Sequence, residues 1–177
     1  MRHSNHLKTG VCALFWIAAV ITGAYAQSSA GVQWLPKIGL GISRNFMVDV
    51  GFVGYSYIPD KNKAKYYDAN IGVMTLIGRH TMVMPKLDLN AGFLPLDSDD
   101  LFTLNAGADV GLLTDFKKSA IVLSPKAGLS AAMGLFRLYY HYNILFEEYR
   151  LYPGLGRHAV TLELNISILQ GKGLKVM

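Results

Sequence analysis

One pattern constrains this chain more than any other: apolar and polar residues alternate with a period of two, in segment after segment. The alternating segments are residues 35–43, 46–58, 66–78, 81–94, 101–115, 120–133, 136–147 and 158–170. No comparable stripe at the 3.6-residue spacing of a helix competes with them, so each reads as a strand with two unlike faces. The breaks carry turn residues, among them SRN, PDKNK, GRH, PLDSDD, the FKKS region and a tight Gly134–Leu135 link, before the longer EEYRLYPGLGR. An even number of strands joined mostly by short links predicts an all-β fold, an eight-stranded up-and-down antiparallel barrel.

The composition of the two faces says which one lies inside. In the last segment Val160, Leu162, Leu164, Ile166 and Ile168 oppose Thr161, Glu163, Asn165 and Ser167. In the fifth, Phe102, Leu104, Ala106, Ala108, Val110 and Leu112 oppose Thr103, Asn105, Gly107, Asp109 and Gly111. The polar faces are built from Gly, Ala, Ser and Asn with about one charge per segment. A water-facing strand has no reason to be so poor in Lys and Glu, whereas small residues suit a narrow lumen and large aliphatics suit a lipid-facing band. The isolated charges then belong inside and must pair. Lys37, Lys86, Lys126 and Arg137 stand against Asp49, Asp68, Asp88, Asp109 and Glu163, with His141 as a further partner. The expected fold is therefore a transmembrane β-barrel with a closed, charge-paired lumen. Pro85 and Pro125 each remove a ladder donor, and Pro125 marks a candidate bulge.

The N-terminus has the three-part layout of a secretory signal: Arg2 and Lys8, the apolar run VCALFWIAAVITGA, then Ala24-Tyr25-Ala26 before Gln27. The apolar run is shorter than the roughly 20 residues of a spanning helix. Cleavage near Ala26 would leave 151 of the 177 residues, with 15 Lys and Arg, 12 Asp and Glu and no cysteine. An exported chain without disulfides relies on its fold alone. Lacking a basic block, it offers nothing to nucleic acid. Charged residues make up only 16% of the sequence, well below a soluble surface. The expected organisation is a signal peptide over 1–26, a short segment over 27–34, the barrel over 35–170 and a tail over 171–177.

Together, the leader, the eight amphipathic segments and the glycine-dotted polar face resemble the small eight-stranded outer-membrane β-barrel proteins of Gram-negative bacteria. Aromatics near segment ends extend the likeness: Phe46, Tyr55, Tyr57, Tyr66, Tyr67, Phe93, Phe102, Phe116, Phe136, Phe146 and Tyr149 are placed as interfacial girdles would be. The chain departs from the pattern in closing on GKGLKVM instead of an aromatic residue. The resemblance implies location in the cell outer membrane, lipid as the surrounding partner, a monomer, and a structural or envelope role. It also implies that EEYRLYPGLGR and the first, third and fifth links face outside, with PDKNKAK, PLDSDD and the 133–136 turn in the periplasm.

One stretch invites a catalytic alternative. In YYHYN, Tyr139 to Asn143, the alternation sends Tyr140 and Tyr142 to lipid and Tyr139, His141 and Asn143 to the lumen. A tight turn at Gly134–Leu135 would put His141 opposite Gly128 and Tyr139 opposite Ser130, and the long loop would bring Glu163 level with His141. Ser130, His141 and Glu163 would then form a nucleophile–base–orienter set, the signature of an outer-membrane lipid-modifying enzyme. Oxyanion donors and a substrate route are not evident, so a packed lumen network is the expectation and no catalytic role is assigned. Tyr149, Arg150 and Tyr152 form the richest exposed patch, and loop 148–157 is the candidate recognition element of an adhesin or binding module with an unidentified external partner. A soluble lipocalin-like periplasmic carrier is the remaining alternative. Asp97, Asp99 and Asp100, the alternating Lys61, Lys63 and Lys65, and His80 read as solvated links. No metal or cofactor is expected.

Overall fold

The computed structural model describes residues 32–57, 66–79, 81–96, 101–132 and 134–166. Expectations for the leader, Lys61, Lys63, Lys65, His80, Asp97, Asp99, Asp100 and the C-terminal tail fall outside these residues. Ten strands follow one another: β1 (Val32–Trp34), β2 (Lys37–Ile42), β3 (Phe46–Tyr57), β4 (Tyr66–Ile77), β5 (Met82–Pro95), β6 (Phe102–Thr114), β7 (Ser119–Ala131), β8 (Phe136–Tyr142), β9 (Ile144–Leu145) and β10 (His158–Asn165). From β2 to β8 each strand pairs antiparallel with the next, and β10 pairs with both β8 and β2, so the sheet closes on itself. β1 and β2 both pair with β3, and β8 and β9 both pair with β7; each couple is one interrupted stave. The result is an eight-stave, up-and-down barrel with no free edge among these strands.

The interruptions have local causes. Between β1 and β2, Leu35 adopts φ 52°, and its N–H donates to Phe52 O at 2.9 Å. The first stave accordingly begins at Val32, ahead of the expected start at residue 35. Both prolines point outward, and each opens the ladder on one side only. β4 pairs through Pro85, while pairing with β6 skips from Val83 to Lys86. At Pro125, β7 keeps an unshifted register with β6, so β7 itself carries no bulge. The irregularity falls instead on the partner stave, between Tyr142 of β8 and Ile144 of β9. There Asn143 N–H donates to Arg157 O at 2.7 Å, which carries the register with β10 across the interruption.

Parity places the faces. Leu40, Ile71, Leu87, Leu89, Val110, Leu112, Ile121, Leu138 and Leu162 stand exposed on the outer wall, while Lys37, Asp49, Lys86, Asp88, Asp109, Lys126, Arg137 and Glu163 are buried inside. Glycines on the inner wall make room for these long side chains. A Cβ at Gly92 would come within 2.3 Å of the Tyr66 ring, and one at Gly107 within 3.0 Å of Lys126 Cε. Tyr66 thus turns into the barrel and does not join the aromatic girdle, as its shared parity with Asp68 requires. Phe46, Tyr55, Tyr67, Phe93, Phe102, Phe116, Phe136 and Phe146 are exposed.

Two expectations are corrected. The inner wall is charged only in part: beneath the β2–β3, β4–β5, β6–β7 and β9–β10 links it becomes an apolar plug. Met47, Met74, Leu76, Met82, Met84, Leu113 and Val122 meet there with Tyr152 and Leu155 from the long loop. Unbranched methionines suit such an irregular, narrowing space. The register around β8 also differs. The β7–β8 link spans residues 132–135, with Ala132 at φ 52° and Gly134 at φ 87°, and Gly134 N–H donates to Ala131 O at 3.2 Å. Lys126 therefore faces His141, Gly128 faces Tyr139 and Ser130 faces Arg137, two residues from the register a tighter turn would impose. Because the slip is even, every side chain keeps its face.

Candidate functional site

The middle of the barrel holds a single ionic network. Lys37 Nζ reaches Asp49 at 3.0 Å, Glu163 at 2.9 Å, and Asp88. Lys86 Nζ lies 2.8 Å from Asp49 and 2.6 Å from Asp109. Lys126 Nζ lies 2.7 Å from Asp88, 2.9 Å from Asp109 and 3.8 Å from Glu163. Three ammonium groups thus alternate with four carboxylates, each ammonium meeting at least two of them. Nearer the other end, Arg137 pairs with Asp68 at 2.6 Å, lies 4.2 Å over the Tyr66 ring, and donates from Nε to Gly134 O at 3.1 Å. The Asn90 amide joins the two parts, donating to Asp68 at 2.9 Å and to Asp88 at 2.6 Å.

The arrangement explains how so many charges tolerate burial. A lone ammonium or carboxylate taken out of water costs several kcal/mol, and only multiple short partners offset it. Asp49, Asp88 and Glu163 bring ligand oxygens within 4.8 Å of one another, the spacing of a small cation site. The Lys37 ammonium, bonded to all three, occupies that position. Asn90 also belongs to the network, although in the sequence only its parity with Lys86 and Asp88 points to the lumen. A neutral amide carries no charge to be balanced, so nothing in a charge inventory draws attention to it.

Ser130, His141 and Glu163 do not converge. Ser130 faces Arg137, with its hydroxyl 3.2 Å from the Asn105 amide and 3.5 Å from Thr103 O. His141 faces Lys126 and Ala159; its Nε2 meets Thr161 Oγ1 at 2.7 Å, and its Nδ1 stands 3.9 Å from Asp109. Glu163 faces Arg137 and Gly39, so it is not the neighbour of His141 that a longer register would make it. All three are buried, and each is held by a different partner. Tyr139 fills the space between, with Lys126 Nζ 4.7 Å from its ring centre.

The long loop divides differently from its sequence. Tyr152 is buried in the apolar plug, so its ring is not available for external recognition. Tyr149 is half-buried; its hydroxyl donates to Asn143 O, and the Arg157 guanidinium lies 5.2 Å over its ring. Arg150 alone of the three is exposed, in the short 3₁₀ turn Tyr149–Leu151. Ser43, in the β2–β3 turn, clips the loop in place. It accepts from Gly156 N at 2.9 Å and donates to His158 O at 3.0 Å. Ser43→Ala is expected to cost about 1 kcal/mol of local stability. It should speed amide exchange across residues 154–158 and leave exchange in β4–β6 unchanged.

The neighbouring β6–β7 turn is also tied by a side chain. Asp115 accepts from the N–H groups of Lys117 at 2.9 Å and Lys118 at 2.8 Å, and these backbone donors hold its carboxyl below the usual range. No protein-family model, curated protein or solved structure matches this chain.

Proposed function

We infer that this chain is an integral outer-membrane β-barrel whose closed lumen, ionic in the middle and apolar at one end, gives it a structural role in the cell envelope. The observation that carries the reading is inverted polarity. Leucine, isoleucine and valine stand exposed around the outer wall, while lysines, an arginine, aspartates and a glutamate are buried within it. In water this arrangement would expose apolar surface far beyond the few hundred Å² that soluble proteins leave uncovered. In lipid it is what a closed barrel requires, because all backbone groups pair between strands and the outer wall meets hydrocarbon. The five longest strands, β3 to β7, run 12 to 14 residues, enough to span a bilayer at a tilt.

The other functions fit less well. A carrier of the lipocalin kind needs an apolar, open interior, and this one is filled by ion pairs. A lipid-modifying enzyme needs a nucleophile and base in contact, and Ser130 and His141 have separate partners. Recognition through residues 148–157 is narrowed by the burial of Tyr152.

Membrane fractionation followed by a heat-modifiability gel tests the assignment. The protein is expected in the detergent-extracted outer-membrane fraction, migrating as a compact band that shifts on boiling. Recovery in the soluble fraction without detergent would refute it.

A further inference from the structure

The network occupies the lumen, and a second set of charged groups lies at the rim, outside it. Arg44 from the β2–β3 turn, Arg157 just before β10 and His158 at its start line one open recess of about 510 Å³. Ser43, Tyr149 and Gly156 complete it. We propose that this recess is an anion site that binds a phosphate group, presented by a membrane-lipid headgroup or as free phosphate.

Charge is the first ground. Both arginines are exposed, and among the described residues neither has a carboxylate partner, in contrast to every cation of the lumen network. Two guanidinium groups with no anion between them offer planar donor forks matched to phosphate oxygens.

Preorganisation is the second. Arg157 is steadied by the Tyr149 ring beneath it at 5.2 Å. The Ser43 clip holds the turn carrying Arg44 against the segment carrying Arg157. Gly156 permits that contact: a Cβ there would stand 2.7 Å from Ser43 Oγ and 3.2 Å from Arg44 Cγ. The segments that carry the two arginines are therefore tied together before any ligand arrives, which lowers the ordering cost of binding.

Position is the third, and for the lipid source it rests on the membrane reading above. The His158 ring packs against Tyr140 and Tyr142, with centroids 5.9 and 5.5 Å away, at the top of the outer wall. Tyr140 hydroxyl meets His158 Nδ1, which leaves Nε2 for a ligand. On the outer wall next to the recess lie the paired residues Ile42 and Val160, both exposed and apolar. A phosphate seated between the arginines would leave its acyl chains running down that wall.

The test uses the full folded protein in a neutral detergent and native mass spectrometry of retained lipid. Wild type is expected to retain a phosphatidic acid about tenfold better than R44Q/R157Q, with phosphatidylcholine retained equally and weakly by both. Competition by millimolar inorganic phosphate would show that the phosphate alone suffices; retention undisturbed by it would identify the lipid as the ligand. A K117Q/K118Q variant removes the same charge from the neighbouring β6–β7 turn and should retain the lipid like wild type. Equal retention by wild type and R44Q/R157Q would overturn the proposal. So would an equal loss in K117Q/K118Q, which would reduce the effect to net rim charge. The boiling shift of each variant reports folding and membrane character separately. Should the protein prove soluble, calorimetric titration with inorganic phosphate in buffer decides the site by itself: binding lost in R44Q/R157Q sustains it, and no binding to wild type ends it.

Discussion

Asp88→Ala is expected to destabilise the folded barrel by about 3–5 kcal/mol, the cost of leaving buried charge without its partner. Asp88 is the hub of the lumen. It meets Lys37 and lies 2.7 Å from Lys126 and 4.0 Å from Lys86, and it accepts from Asn90 at 2.6 Å. Its removal strips the shared carboxylate from three buried ammonium groups at once. Lys126 keeps Asp109 and Lys37 keeps Asp49 and Glu163, so the network is weakened without being dispersed. Asp88→Asn should cost less, because the amide retains an acceptor for Lys126 and the volume of the native side chain. Urea titration in detergent micelles, read by the fraction of heat-shifted band, measures both. A loss below about 1 kcal/mol for Asp88→Ala would mean that water already solvates these charges, and that the lumen is wet instead of ion-paired.

The same network shows what an alternating sequence discloses and what it withholds. Parity alone separates Lys86, Asp88 and Asn90 from Leu87 and Leu89, so the inner and outer walls can be read directly from residue spacing. Strand limits follow almost as well: β4 begins at Tyr66 as expected and ends at Ile77, one residue short of the expected end. Partners are another matter, because they depend on register, and register is set by link geometry. The β7–β8 link has four residues and not two because Ala132, as well as Gly134, takes a positive φ. Nothing in the identity of an alanine announces that conformation. That single difference moves His141 from Gly128 to Lys126, while the β8–β10 register, set by the long loop, puts Glu163 opposite Arg137 instead of beside His141.

The apolar plug was hidden for a related reason. Met47, Met82 and Met84 share the parity of Asp49, Lys86 and Asp88, so spacing already assigns them to the lumen. Their meeting with Tyr152 depends on the long loop folding back over the barrel mouth, a tertiary contact without a local signature. Recognition of the plug changes the meaning of the loop. A loop whose Tyr152 and Leu155 are 2% and 0% exposed serves as a lid for the plug before it serves any partner. The rim chemistry is left to Arg44, Arg150, Arg157 and His158.

On the outer wall, Leu87→Arg should cost about 2–4 kcal/mol in a lipid bilayer, the price of a guanidinium facing hydrocarbon near the midplane. Leu87 lies level with the network, between Lys86 and Asp88, and pairs with Ile71 on one side and Val110 on the other. Its side chain is 42% exposed, so an arginine there meets no packing obstacle and the penalty isolates the surrounding solvent. In water the same substitution at an exposed site would fall within about 0.5 kcal/mol of neutral. Phe116→Arg supplies the internal control, since Phe116 is 82% exposed in the β6–β7 turn, where interfacial depth brings the cost to about 0–1 kcal/mol. Urea unfolding of vesicle-inserted protein, followed by the boiling shift, reads both variants against wild type. A large loss at residue 87 with a small one at 116 marks a depth-dependent lipid environment. Equal, small effects at the two positions would mean that the apolar wall faces something other than a bilayer core.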